Sequence, residues 1–228
     1  MNNRTVRKII CLANSRKLSG RCIAGKEILD NGQIGGWIRP VSDRENEEVS
    51  EWERQYEDGS DPRVLDIIDV PLLNPKAKDY QQENWLLDPD YYWEKAGQMP
   101  PERLGQFADR PDHLWVNGHS SNQGNNDRIP VDAANSLDTS LRLIRVERLE
   151  LVVSTPGQAF GNTRRSVQGR FRYVARDYWL RITDPVIERQ YLQRPEGSYP
   201  ISDCYLTVSL GEPHNGYAYK LIAAIIQL

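Results

Sequence analysis

Three cysteines and three histidines are all the thiols and imidazoles that this 228-residue chain offers to a metal or a disulfide framework. Cys11, Cys22 and Cys204 form no pair of zinc-like pairs, and one thiol is left over from any disulfide count. His113, His119 and His214 are scattered without metal-ligand spacing. No apolar run approaches the ~20 residues of a membrane helix. Behind the basic start only Ile9 to Ala13 are apolar, too few for a signal peptide. A Walker loop, a dinucleotide fingerprint and a zincin helix are also missing. These gaps predict a cytoplasmic protein with no membrane partner, no cofactor and no metal.

What the chain does have is charge, unevenly placed. The net charge is −3, yet Leu141 to Pro185 carries nine arginines against four acids. Residues 1–42 are also basic, and the excess acid sits in residues 43–112. Local potential decides binding, so overall acidity does not exclude a polyanion partner. Opposite segments neutralising one another in the fold is the plainer alternative.

A repeat organises the rest. Glu-Arg-Gln-Tyr occurs at 53–56 and again at 188–191, each copy downstream of a Trp-aliphatic-Arg tripeptide. These tripeptides are Trp37-Ile38-Arg39 and Trp179-Leu180-Arg181, followed by Ser42-Asp43 and Thr183-Asp184. In the first half, apolar alternation predicts strands over Arg7–Ala13, Arg21–Leu29 and Ile34–Val41. A helix is expected over Glu47–Tyr56, capped by Ser42 or Asp43, then strands at Val64–Leu73 and Trp85–Leu87. In the second half, strands are expected at Leu141–Val153, Ser166–Ala175 and Tyr178–Thr183, with a turn at Arg176-Asp177. Asp184-Pro185 opens a helix through Gln193, an acceptor at the cap and proline in the first turn. Cys204–Leu210 and Tyr217–Ile226 complete the set. Both halves read strand, strand, strand, helix, strand, strand, the order of the five-stranded OB barrel.

The fold class predicted is therefore mainly β: two OB-like five-stranded barrels, each with a helix between strands 3 and 4, plus an irregular connecting segment. Their expected bounds are 1–92, 93–137 and 138–228. Trp93, Phe107, Leu114 and Trp115 are poor residues for a solvated linker, so the middle segment should pack on the barrels.

The strings Cys11-Leu12-Ala13-Asn14-Ser15-Arg16-Lys17, Gly20 to Glu27 and Gly36-Trp37-Ile38-Arg39-Pro40-Val41-Ser42 resemble those of bacterial dual-OB-domain proteins. Val208 to Pro213 and Tyr219 to Ala223 are similar to the family's C-terminal signature. The resemblance spans essentially the whole chain. It implies nucleic-acid binding, in bacterial anti-phage or similar conflict systems, and brings no catalytic residue set.

In a strand, residues two apart share a face. Trp37 with Arg39, and Trp179 with Arg181, should therefore stand outside their barrels, on the third strand of the usual OB ligand face. Arg170 and Arg172 add to the second copy. Arg21, Lys26 and, from the first loop, Arg16 and Lys17 add to the first. Rings beside guanidinium groups suit single-stranded DNA or RNA, or structured RNA, since bases stack on the ring and cations follow the phosphates. The competing structural reading has these tryptophans covering the barrel under stacked arginines.

Two other functions fit less of the sequence. An enzyme could draw on Cys11 or Cys22, His113 or His119, and Glu83 or Asp127, but both cysteines sit in strand patterns as buried small hydrophobes. A protein-binding adaptor or inhibitor could use the acidic block Asp43–Asp61. The expectation is a non-catalytic nucleic-acid-binding module, with a larger effector protein as a further partner.

Overall fold

The computed structural model describes residues 4–158 and 161–228, which divide into two units. The first takes the chain up to Phe107 together with Leu137–Ser140, and the second takes Ala108–Ser136 and Leu141–Leu228. Residues 93–137, read from sequence as an irregular connector, are thus shared between them.

In the first unit, β1 (Thr5–Lys17), β2 (Gly20–Ile28) and β3 (Ile34–Val41) form an antiparallel meander. A one-turn helix α1 (Glu51–Arg54) leads to β4 (Asp66–Pro75) and β5 (Asn84–Leu87). β5 pairs in parallel with β3, and β4 pairs with both β5 and β1. The ring of pairings closes in the order 1-2-3-5-4, as in an OB barrel. β1 serves both neighbours because a register shift between Cys11 and Ala13 bends it. Ile9, Cys11, Ile23, Ile38, Ile68, Val70 and Leu72 fill the interior. A further strand, β6 (Glu94–Gln98), extends β4, and Trp93 before it joins the core.

Two local expectations needed correction here. The helix does not begin near Glu47, because Val49 is bridged to Arg21 through two backbone hydrogen bonds. It starts only at Ser50, whose hydroxyl and Glu53 form a capping box. The first hairpin turns at Leu18-Ser19, so Arg16 and Lys17 belong to β1 and not to a loop.

The second unit repeats the ring. A short strand β7 (Arg128–Pro130) and the turn α2 (Val131–Ala134) precede β8 (Leu141–Ser154), β9 (Ser166–Tyr173) and β10 (Arg176–Ile182). Helix α3 (Pro185–Leu192) follows, then β11 (Gly197–Leu210) and β12 (Tyr217–Gln227). β12 pairs with β11 and, in parallel, with β10, closing the same ring order. Asp184 caps α3 as expected, accepting from the amides of Val186 and Ile187. The β9–β10 hairpin turns at Val174-Ala175, both at positive φ, and not at Arg176-Asp177, which lie in β10. Both Glu-Arg-Gln-Tyr copies end on a buried tyrosine, Tyr56 and Tyr191.

Register shows how closely the copies correspond. Gly25 stands opposite Ile38 and Lys26 opposite Trp37, just as Gly169 stands opposite Leu180 and Arg170 opposite Trp179. The two glycines occupy crowded positions. A Cβ on Gly25 would lie 2.1 Å from the Ile10 carbonyl oxygen, and one on Gly169 would lie 2.4 Å from Ile222 Cδ1.

Candidate functional site

The two copies of this face have diverged in what covers them. In the first unit Lys26 is buried, its Nζ 5.5 Å from the centre of the Trp37 ring and donating to the Phe107 carbonyl at 2.7 Å. Phe107, at the end of the 3-10 turn Pro101–Gln106, is itself buried. Arg39 does not reach solvent either. It lies on the outer side of β3, opposite in phase to Ile38, but is only 3% exposed. Its Nη2 pairs with Glu83 Oε1 at 2.9 Å and donates to Ser140 Oγ at 2.8 Å. Ser140 also donates its hydroxyl and amide to Glu83. Alternation predicts the outer side correctly for Arg39; chain returning over that side buries it. Lys26 and Arg39 are therefore structural cations, and Glu83, considered for catalysis, is the fixed counterpart of Arg39. Arg16 and Arg21 face each other across the first hairpin, half-buried beside Lys17, away from Trp37 along the strand.

In the second unit the corresponding face is open. The register lines up two rows across β8, β9 and β10. Glu150, Arg170 and Trp179 form one row, and Val152, Gln168 and Arg181 another. Toward the hairpin end Arg172 stands opposite Asp177, and Arg148, one residue past the Leu149–Phe171 pair, borders the same cleft. Arg170 Cζ stands 4.0 Å above the half-buried Trp179 ring. Arg148, Arg170, Arg172 and Trp179 line a shallow cleft of about 430 Å³. Its carboxylates are distant partners, Glu150 at 4.0 Å from Arg170 and Asp177 at 3.7 Å from Arg172. Such exposed, long pairs are worth little and leave the guanidinium groups available.

A strap from Ser120 to Asp127 borders this face. Asn125 exchanges both backbone hydrogen bonds with Trp179, and Asn125 and Asn126 donate their amides to the Asp177 carbonyl. Gln168 Nε2 donates to the Gln123 carbonyl. Asp127 holds the strap in shape by accepting from the Ser121 amide and hydroxyl. That role accounts for a residue considered among the catalytic carboxylates. Beyond the strap, Arg181 is exposed on the same face as Trp179.

The remaining reactive candidates are not assembled. Cys11 lies in the first core, where burial pushes its thiol up to about 12, leaving no thiolate near neutral pH. His113 is exposed and His119 half-buried. No group of three or more potential metal ligands occurs among the described residues. Nor is any helix there long and apolar enough to cross a membrane.

Sequence reading missed Arg148, the strap and Lys220. Arg148, just past the end of the β8–β9 pairing, joins the site only through the cleft that it lines. Lys220, in the apolar β12 pattern, points inward, 1% exposed, donating to the Val116 carbonyl at 2.7 Å and to Asn117 Oδ1. Burial lowers its pKa to about 7, against a smaller opposing effect of Asp127. The unfolded chain therefore binds this proton below about pH 10.5, while the folded chain stays largely neutral down to about 7. Stability should rise as pH rises across that window, by up to about 1.4 kcal/mol per pH unit from this group. Below about 7 both states are protonated and its effect is constant. Lys220→Met should flatten this rise in urea denaturation followed from pH 7 to 10. An equal slope in both proteins would contradict it.

The geometry defines a protein of two OB barrels, one presenting a cation-flanked aromatic face and the other covered on that face. A family model, the dual OB-containing domain, matches residues 7–225. The chain belongs to that family. No solved structure matches it significantly.

Proposed function

We propose that the second barrel binds single-stranded nucleic acid across β8, β9 and β10. The observation that carries this reading is the row in which Arg170 lies 4.0 Å over Trp179, flanked by Arg148 and Arg172 on the same face. An indole presented at a surface lets a base stack without sequence preference, while guanidinium groups on either side follow the phosphates. The OB topology supports it too, since strands 2 and 3 of the barrel form the customary oligonucleotide surface. In the first barrel the Trp37 face holds a buried lysine tied to a main-chain carbonyl, so the reading assigns it a supporting part. Arg16, Lys17 and Arg21 form a separate cationic edge on the first barrel, to which the reading gives an auxiliary part.

Salt dependence tests this directly. With Arg148, Arg170, Arg172 and Arg181 each meeting one phosphate, log K against log salt should fall with a slope of about −3. Binding of short oligonucleotides would be followed by tryptophan fluorescence. Absence of binding, or binding indifferent to salt, would remove the reading.

A further inference from the structure

Beyond the Trp179 cleft the second barrel has a smaller, more enclosed pocket. Arg164, Arg165 and Ser166 at the start of β9, Gln168 further along it, Arg181 on β10 and Glu188 on α3 line it. Its volume is about 180 Å³, below the ~300 Å³ at which small-molecule sites begin. A phosphoryl group fits such a space; a whole nucleotide does not.

The lining is built for an anion. Three guanidinium groups face one carboxylate, Glu188, a surplus of two positive charges among the lining residues. Arg165 is held by the carbonyls of Leu192 and Arg194 at the end of α3. Those partners fix its plane without neutralising it. The Nε of Arg165 and the Oγ of Ser166 are buried without a hydrogen-bond partner among the described residues. Arg164 and Arg181 bring their guanidinium groups to the same lining from exposed positions. Unpaired buried donors are costly, so Arg165 Nε and Ser166 Oγ, set in a concave, cationic site, call for an acceptor.

We infer that this pocket seats the terminal phosphate of the single strand whose base stacks on Trp179. The inference rests on the functional reading above and narrows it to a phosphomonoester end. Charge favours that end. A monoester carries about −1.5 to −2 near neutral pH, matching the surplus, whereas an internal diester carries one charge. Spacing is also suitable. Trp179 and Arg181 share a face of β10 two residues apart, about 7 Å along the strand. Bidentate guanidinium–phosphate bonding then gives the end a geometric preference that a point charge would not.

Competition binding would separate this inference from the reading beneath it. The competitors are one oligonucleotide with a 5′-phosphate, with a 3′-phosphate, or with hydroxyls at both ends, against the full chain and an Arg164→Gln, Ser166→Ala variant. One phosphorylated form is expected to bind about tenfold tighter than the hydroxyl form. The variant should lose that difference and keep the hydroxyl form's affinity. Equal binding of all three forms would overturn the pocket and leave the Trp179 face standing. A phosphate preference that survives in the variant would place the phosphate elsewhere and overturn it equally. No binding by any form would remove both.

Discussion

Trp179→Ala should weaken single-strand binding by about 5- to 150-fold, the ~1–3 kcal/mol that one base stacked on one ring contributes. Thermal melting should change little, since Leu180, not Trp179, fills the barrel at this point. Arg170 loses its ring as well, so part of the loss comes from a cation left without its platform. The matched change in the other copy, Trp37→Ala, should leave affinity nearly intact, because Lys26 beneath that ring is already committed to Phe107. Should Trp179→Ala lower the melting temperature by ten degrees or more, the ring would be barrel cover and the proposed surface would lose its centre. Fluorescence anisotropy and calorimetry on the same protein samples decide between these outcomes.

Arg39→Ala should produce the largest loss of stability, about 3–5 kcal/mol. Removing one member of a buried ion pair leaves the other, here Glu83, desolvated and uncompensated. Ser140 would lose its guanidinium partner too, loosening the 137–140 segment from the first unit. Replacing both charges, with Arg39→Met and Glu83→Leu together, should recover most of the loss, because the desolvation cost disappears with the pair. Urea denaturation of the two single variants and the double variant measures this as a cycle. A loss below about 1 kcal/mol in Arg39→Ala would mean water reaches the pair. Nucleic-acid affinity per folded molecule should not change in the double variant, which is where this account departs from the alternation-based expectation for Arg39.

That contrast marks what sequence could and could not supply. Period-2 alternation predicted Ile34–Val41 to the residue, and the Asp184-Pro185 cap placed α3, because both signals are local. The repeated tripeptides implied the duplication, and the barrel registers make the copies equivalent at Lys26–Trp37 and Arg170–Trp179. Exposure is a different matter. Alternation says which side of a strand a residue occupies, and cannot say whether distant chain returns to cover that side. Phe107 and Ser140 do so in the first unit, 81 and 101 residues away from Lys26 and Arg39. Nothing near Trp37 in sequence announces them. The helix expected from Glu47 failed for a related reason, since Val49 is taken up by pairing with Arg21. Lys220 was not singled out at all: nothing in an apolar strand containing one lysine says that the amine lies inside.

Ultraviolet crosslinking of a bound oligonucleotide, with the modified peptides located by mass spectrometry, addresses the central claim most directly. The account predicts adducts on residues 166–181, with Trp179 and its β9 neighbours among them. Adducts concentrated instead on residues 20–41, around Trp37, would contradict it.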